Sequence, residues 1–360
     1  MSNPAALSKA PTVVAADALM RFTSAIFVRA GLSAAHAELV ADVLVWANLR
    51  GVDSHGVMRV PRYVELIDVG DMNPSPTLTV RTETAAAVLI DCDRAAGPVA
   101  MTSAMTAAVR KAKDAGVGLA LVRGTTHTGA LGYYTLMAAR EGMAAIALAG
   151  STANMAYHGA RAAGVSTSPI SIAVPGGDDA PLLLDMASGI VSRGKLLQAK
   201  RTGEPLPEGW ALDQNGNPTT DAQAAHIPLP MGGPKGSGLA LMVECITSLL
   251  VSNAILAAAL EETAASRRHK QNGFALAIDV ARFGDPGAFR REVDRLVKAL
   301  KKLPRDPEVG EILMPGERGS RSLEARRRDG IPIPRAIFNE LQTLAERLGV
   351  AMVPAAGPRE

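Results

Sequence analysis

The sequence is short of aromatic residues, of cysteine and of net charge, and each shortage excludes a class of protein. Aromatic residues make up 3% of the 360 residues, so a packed core must be built from aliphatic side chains. The two cysteines, Cys92 and Cys245, exclude a disulfide framework and a CxxC metal or redox site. A formal net charge of +3 is too small for a chain whose main partner is a nucleic acid.

Targeting signals and long apolar runs are also missing. Residues 1–20 contain one lysine and no continuous apolar core, so we expect no secretory signal. The longest apolar stretch, 239–251, contains Glu244 and is shorter than the ~20 residues that a membrane span requires. We therefore expect no membrane association and a cytoplasmic location with reduced thiols.

Helix and strand patterns alternate along the chain. Apolar residues at spacings of three and four predict a helix over 14–30, and Ser33 is placed to cap a second helix over 34–49. Short apolar runs bounded by turn residues predict buried strands over 77–80, 87–91, 118–122, 144–149, 170–174, 182–185 and 273–280. Further helices are predicted over about 98–114, 236–252, 287–302 and 334–348, with a basic loop between the last two.

This order of elements predicts an α/β fold. We expect an N-terminal helical part over 1–76 and a C-terminal helical part over 286–360. Between them we expect an α/β domain over 77–285, which carries an inserted helical segment at about 190–265.

Several common motifs are absent or incomplete. The 34 glycines never show the GxGxxG spacing of a Rossmann dinucleotide site. The six histidines have no spacing suited to a preformed metal site, so we expect no metal. Basic clusters at 267–270 and 326–328 lack interleaved aromatic residues, and we interpret them as solvated helix ends rather than phosphate contacts.

The segment at 50–59 is the most informative part of the chain. His55 is flanked by Ser54, whose hydroxyl can orient the imidazole, and by Gly56, which lacks a Cβ and leaves room for a substrate. Arg59 has a planar guanidinium suited to a carboxylate, and Tyr63 follows one helical turn later. On the residue pattern alone, a histidine that merely caps or turns the chain remains the alternative.

Two glycine-rich turns are candidate phosphate sites. One lies at 124–133 after a predicted strand, and the other lies at 232–238 before an apolar helix and contains Lys235. Such turns expose backbone N–H groups at a helix N-terminus, where phosphates bind. Each alone is better explained as a plain glycine-rich turn, but together with the His55 segment they suggest a nucleotide cofactor beside a small carboxylate.

The sequence resembles the type-2 malate/L-lactate dehydrogenases, whose relatives include ureidoglycolate, sulfolactate and diketogulonate oxidoreductases and Δ1-piperideine-2-carboxylate reductases. The resemblance extends from about Val14 to Pro334. It rests on RGVDSHGVMR at 50–59, HTGAL at 127–131, DMAS at 185–188, SRGK at 192–195, PEGWALD at 207–213, GPKG at 233–236 and PGE at 315–317. It implies NAD or NADP bound on a non-Rossmann sheet domain, a flanking helical domain built from both chain ends, and a homodimer.

The resemblance also implies roles for individual residues. His55 resembles the family's acid/base with Ser54 as its relay partner, and Arg59 and Tyr63 match substrate contacts. His127 matches a residue that serves as catalytic base, substrate contact or cofactor contact in different members. The positions that match cofactor contacts are His127, Thr128, Gly129, Ala130, Leu131, Ser151, Asp185, Met186, Ala187, Lys235, Gly236, Gly316, Glu317 and Arg318.

The reaction we expect is hydride transfer between nicotinamide and C2 of a small 2-hydroxy or 2-keto acid, with the choice of NAD or NADP open. One alternative is NADPH-dependent reduction of Δ1-piperideine-2-carboxylate. Lys195 stands where the imine-reducing branch carries an acidic residue, which favours the hydroxy acid. An alternative of another class is a catalytically silent dinucleotide-binding protein, which the intact Ser54, His55 and Arg59 argue against.

Overall fold

The computed structural model describes residues 11–177, 180–191, 195–196, 199–200, 203–261 and 270–353. Contacts within the chain define two units. Unit 1 combines Met1–Ser75 with Glu317–Glu360, and unit 2 is Pro76–Gly316. Residues 286–316, which the sequence-based division put in the C-terminal helical part, therefore group with the sheet instead.

The described elements are ten helices and fourteen strands. The helices are α1 (Ala16–Arg29), α2 (Ala34–Leu49), α3 (Val60–Asp68), α4 (Gly97–Ala115), α5 (Gly132–Arg140), α6 (Pro234–Glu244), α7 (Leu256–Leu260), α8 (Pro286–Lys301), α9 (Glu317–Asp329) and α10 (Arg335–Leu348). The strands are β1 (Thr12–Val14), β2 (Thr79–Glu83), β3 (Ala87–Asp91), β4 (Val117–Thr125), β5 (Met143–Ser151), β6 (Met155–Ala156), β7 (Ala163–Val165), β8 (Ile170–Val174), β9 (Leu182–Met186), β10 (Ala211–Leu212), β11 (Pro218–Thr219), β12 (Ile227–Pro228), β13 (Gln271–Asp279) and β14 (Ile331–Ile333).

Unit 1 is a helical assembly whose two chain segments pair in a short sheet. β1 pairs antiparallel with β14, so the N-terminal and C-terminal segments are joined by backbone hydrogen bonds. The predicted cap of α2 is confirmed, because the N–H of His36 donates to Ser33 Oγ at 3.3 Å. Gly51 follows the helix with a φ of 75°, which ends it with a residue suited to the left-handed region.

The helix α9 corrects the expectation of a basic loop between α8 and α10. It buries none of its residues, so it has no apolar stripe from which a helix could be recognised. Most of its residues are nevertheless good helix formers, with Glu317 in the first turn and three arginines in the last turn, where they complement the helix dipole.

Unit 2 is built on a seven-stranded mixed sheet with the strand order β2-β3-β4-β13-β5-β8-β9. Each run that the sequence predicted to be a strand forms one. The strands β3 and β8 have the expected bounds, and the bounds of the others are shifted by a few residues. Only β3 and β4 pair in parallel, and the other neighbouring strands of this sheet run antiparallel.

Small side chains let helix and sheet approach closely in this unit. The helix α4 packs on β4 and β13, and α5 packs on β5 and β8. A Cβ at Gly118 on β4 would overlap the carbonyl oxygen of Ala108 on α4. The scarcity of aromatic residues is thus matched by an interface in which alanine and glycine replace bulky side chains.

The segment predicted to be a helical insertion at 190–265 is only partly helical. Its described residues form a three-stranded sheet with the order β11-β10-β12, followed by α6, a π-helical turn over Cys245–Leu249, and α7. Residues 192–194, 197–198, 201–202 and 262–265 of that prediction lie outside the described residues, as does most of the 267–270 cluster. Among the described helices, none has the length and apolar character needed to cross a membrane.

Candidate active site

The Ser54–His55–Arg59 segment forms two consecutive 3-10 turns between α2 and α3. Ser54 Oγ lies 3.0 Å from His55 Nδ1, within hydrogen-bond distance. Arg59 Nε donates to the carbonyl oxygen of Ser54 at 2.7 Å. A hydroxyl, an imidazole and a guanidinium are therefore brought together by local backbone geometry, as the sequence spacing suggested.

The surroundings of His55 keep its imidazole neutral. Burial and, to a smaller extent, the positive charge of Arg59 lower the pKa of His55 from 6.5 to about 4. At neutral pH the ring therefore carries one proton, and one nitrogen is available as a hydrogen-bond acceptor.

Tyr63 is a core residue of unit 1. It lies on α3 with no exposed surface, and its ring centroid is 6.1 Å from that of Phe27. Burial raises the pKa of the Tyr63 hydroxyl well above its usual value, so the phenol stays protonated. Its expected contact with substrate stays a prediction.

Gly56 has a different role from the one that the sequence suggested. A Cβ at this position would overlap the side-chain amide of Asn48, so the missing Cβ makes room for Asn48. Asn48 Oδ1 in turn accepts the backbone N–H of Val57 at 2.8 Å. The glycine is required by packing inside unit 1 rather than by the approach of a substrate.

Sequence reasoning missed three residues that surround this turn, which are Asn48, Asp53 and Arg326. Arg326 belongs to the basic cluster that we interpreted as a solvated helix end, but it forms an ion pair with Asp53 at 2.6 Å. The two residues are 273 positions apart, so no local pattern could have related them.

The loop before α5 uses some of its backbone donors within the protein, and its expected role as a phosphate site stays a prediction. The backbone N–H groups of Thr128 and Gly132 donate to side-chain oxygens of Gln271 at 3.1 Å and Asp185 at 2.8 Å. Asp185, expected as a cofactor contact, thereby also fixes the start of α5. These two bonds tie the loop to Gln271 on β13 and to Asp185 on β9.

His127 is oriented by this loop. The backbone N–H of Gly129 donates to His127 Nδ1 at 3.3 Å. A nitrogen that accepts a hydrogen bond carries no proton, so the neutral ring has its proton on Nε2. In this arrangement His127 presents Nε2 as a hydrogen-bond donor rather than as a proton acceptor.

Other expected cofactor residues lie at the end of a strand and in the first turns of two helices. Ser151 Oγ is 2.6 Å from Ser166 Oγ at the end of β5. Gly236 is buried on α6, where a Cβ would lie 2.5 Å from the carbonyl oxygen of Ser188, and Lys235 beside it is exposed. In α9, Glu317 forms an ion pair with Arg321.

Unit 2 contains the kinds of group that a bound dinucleotide requires. Gly232 and Gly233 have φ values of 57° and 59° immediately before α6, so this helix begins at a turn that requires glycine. Lys235 supplies a cation, Asp185 a carboxylate and Ser151 a hydroxyl, which are partners for phosphate and ribose hydroxyl groups. The described residues contain no group of three or more His, Cys, Asp or Glu placed to hold a metal ion.

Comparisons with known proteins agree with this fold. The family described as malate/L-lactate dehydrogenase matches residues 14–342. Malate dehydrogenase of Pyrococcus horikoshii is 37% identical over 344 residues, which are 93% of this chain and 95% of the relative. The crystal structure of malate dehydrogenase from Entamoeba histolytica superposes with a TM-score of 0.90 at 28% identity, and covers 95% of this chain and 99% of that one.

Two further relatives carry a cofactor in their names. Ureidoglycolate dehydrogenase (NAD(+)) of Escherichia coli K12 is 32% identical and covers 80% of this chain and 83% of the relative. (2R)-3-Sulfolactate dehydrogenase (NADP(+)) of Chromohalobacter salexigens is 32% identical and covers 86% of this chain and 91% of the relative.

Fold, site and relatives together define an oxidoreductase of the dehydrogenase class. Within that class, the chain belongs to the malate/L-lactate dehydrogenase family. The family suspected from the motifs at 50–59 and 127–131 is confirmed.

Acid should weaken this protein in part through His55. Between pH 6.5 and about 4, the unfolded chain binds a proton at His55 that the folded chain does not, so the free energy of unfolding falls as the pH falls. In His55→Gln this contribution is gone. We expect urea unfolding to show a smaller loss of stability from neutral to mildly acidic pH in His55→Gln than in the unmodified chain. Equal losses in the two proteins would contradict the lowered pKa.

Proposed function

We propose that this chain is an NAD(P)-dependent dehydrogenase that transfers hydride between nicotinamide and C2 of a small 2-hydroxy or 2-keto acid. The observation that carries the proposal is the turn in which Ser54, His55 and Arg59 come together. Oxidation of a 2-hydroxy acid requires a proton acceptor for its hydroxyl and a cation for its carboxylate, and this turn supplies both.

His55 is the proposed acid/base. When Nδ1–H donates to Ser54 Oγ, the lone pair of the ring lies on Nε2 and can accept the proton of the substrate hydroxyl. The depressed pKa favours the neutral ring that hydroxy-acid oxidation needs. A bound carboxylate would offset the charge of Arg59 and raise the pKa of His55 towards neutrality, which makes protonation during keto-acid reduction easier.

Arg59 is the proposed carboxylate clamp. Its Nε bond to the Ser54 carbonyl fixes the guanidinium beside the imidazole, so an acid held by Arg59 is presented with C2 and its oxygen near His55. Bound NAD(P) supplies the hydride acceptor or donor for the same carbon.

His127 has a different part in this proposal. Because its Nδ1 accepts the Gly129 N–H, its Nε2–H is suited to donate a hydrogen bond to a carbonyl or carboxylate oxygen of the cofactor or substrate. We therefore assign proton transfer to His55 and orientation to His127.

For the cofactor, the proposal admits both NAD and NADP. No acidic residue occurs between Ser151 and Ala156 to repel a 2′-phosphate. The two relatives named for NAD(+) and NADP(+) are both 32% identical to this chain, which supports leaving both cofactors in the experiment. Free cysteines, buried or partly buried, are consistent with the cytoplasmic location that we include in the proposal.

A homodimer is also part of the proposal. The exposed face of α6 and the π-helical turn after it carries an apolar cluster, which consists of Leu241, Met242, Ile246, Leu249 and Leu250. Their exposed fractions range from 37% to 63%. A contiguous apolar helix face of this kind is typical of a subunit contact, and a second copy of this chain is the occupant we propose.

The function is tested by a substrate panel with both cofactors. Oxidation of NADH and NADPH is followed with pyruvate, oxaloacetate and Δ1-piperideine-2-carboxylate, and cofactor binding is measured separately by fluorescence. We expect turnover of at least one 2-keto acid. Turnover of the imine alone would replace the proposal by the reductase alternative, and binding without turnover of any compound would indicate a silent dinucleotide-binding protein.

Replacing His55 should separate chemistry from cofactor binding. We expect His55→Ala to lower kcat by about 10²–10⁴-fold, because the proton acceptor is lost, while the Kd of the cofactor stays the same. The exposed His226 offers a matched control, since His226→Ala removes an imidazole outside the site. Near-normal turnover of His55→Ala, or an equal loss in His226→Ala, would remove His55 from this role.

Replacing Arg59 should act mainly on the acid. Loss of a charge-assisted hydrogen bond to a carboxylate is worth about 1.5–3 kcal/mol, so we expect Arg59→Ala to raise KM for the keto acid by about 10–100-fold. The KM for the cofactor should change little. Arg62→Ala is the control, because Arg62 is exposed on α3 and pairs with Glu65. An unchanged KM for the acid in Arg59→Ala would show that the clamp lies elsewhere.

A further inference from the structure

Three side chains form a hydrogen-bonded cluster beside the His55 turn, the Asn48–Asp53–Arg326 cluster. Arg326 Nη1 and Nη2 donate to the two carboxylate oxygens of Asp53 at 2.6 and 3.0 Å. Asn48 Nδ2 donates to Asp53 Oδ1 at 2.6 Å, and Arg326 Nη1 also donates to the carbonyl oxygen of Asn48. The planar guanidinium thus engages the carboxylate through two parallel bonds, which fixes its orientation.

The cluster holds the turn on both sides of His55. Asp53 is the first residue of the 3-10 turn that contains His55, and Gly56 N–H donates to its carbonyl oxygen at 3.0 Å. On the other side, Asn48 Oδ1 accepts the N–H of Val57 at 2.8 Å. The imidazole therefore sits on a short backbone segment whose two ends are both tied to the cluster.

The cluster contributes mainly by fixing the shape of the His55 turn, and the electrostatic attraction between its charges contributes little to stability. The Asp53 side chain is 40% exposed, so water screens its pairing with Arg326, whose side chain is 19% exposed. Asn48 is 3% exposed, and its amide uses its oxygen and its nitrogen in separate bonds to the turn. A 3-10 turn of three residues has few bonds of its own, so its shape depends on such external partners.

Arg326 comes from α9, which follows the whole of unit 2 in the chain. Two further bonds join α9 to the end of α2, because Ser322 Oγ donates to the Leu49 carbonyl at 3.0 Å and Arg50 Nη1 donates to Ser320 Oγ at 3.3 Å. The guanidinium is therefore presented to Asp53 from a helix that is itself anchored.

We propose that Arg326 is a positioning residue for His55, acting through Asp53 and Asn48. The inference rests on the proposed function, in which His55 transfers the proton. Arg326 touches neither His55 nor the reacting atoms in this scheme. It sets the place of the imidazole, and a misplacement of about 1 Å is enough to slow a reaction by about 100-fold.

The test compares substitutions of two adjacent arginines on α9. We expect Arg326→Gln to lower kcat by about 10–100-fold with the cofactor KM unchanged, because the ring loses its alignment while the cofactor residues are untouched. Arg326→Lys keeps the charge but loses the paired bonds, so it should recover only part of the activity. Arg327→Gln is the control, since Arg327 is exposed next to it, and its kcat should equal that of the unmodified chain.

A double-variant cycle distinguishes positioning from general stability. If Arg326 acts through His55, Arg326→Gln added to His55→Ala should change the remaining kcat by less than about threefold, because the group it positions is already gone. A purely structural role would lower the kcat of both backgrounds by the same factor. Should Arg326→Gln fail to fold, Asp53→Asn removes the paired bonds with an almost identical shape and takes its place in the cycle.

The outcomes for the inference and for the proposed function differ. Full activity of Arg326→Gln beside a strongly impaired His55→Ala overturns the inference and leaves His55 as the acid/base. Full activity of His55→Ala overturns the proposed role of His55 and the inference with it. Equal losses from Arg326→Gln in both backgrounds also overturn the inference.

Discussion

The bonds between Arg326 and Asp53 join two segments of chain that are separated by the whole of unit 2. Together with the pairing of β1 and β14, they make unit 1 a structure that neither segment specifies alone. The turn that carries His55 is short, and its backbone bonds would not hold it in one shape without these partners. The position of the imidazole is thus a property of the assembled unit rather than of its motif.

The chemistry that this turn supports follows from the balance between burial and charge. A half-buried imidazole beside a guanidinium resists protonation, and this keeps His55 uncharged at neutral pH. The same guanidinium attracts a carboxylate, and the arrival of that negative charge reverses the electrostatic effect on the ring. In the proposed reaction, substrate binding and the basicity of His55 are therefore coupled through the charge of Arg59, which acts beside the larger effect of burial.

Much of the fold followed from short apolar runs and from helix-end signals, because β3 and β8 have the bounds expected from their apolar runs and Ser33 caps α2 as expected. The helix α9 could not be found in this way, since it buries none of its residues and owes its order to bonds made by its polar side chains. In the site, the motif at 50–59 predicted His55 and Arg59. No local sequence pattern indicated Asn48 or Arg326. The sequence related the missing Cβ of Gly56 to the approach of a substrate, but the space that a Cβ would take is occupied by the side-chain amide of Asn48.

Gly97 begins α4 at a point where any Cβ would run into the backbone of His127 and Thr128. The loop before α5 therefore rests directly on the first turn of a long buried helix, with no side chain between them. Because backbone lies directly against backbone, a shift of α4 would also shift the loop. A substitution in the body of α4 that shifted its axis would alter the orientation of His127 even though no residue of the loop had changed.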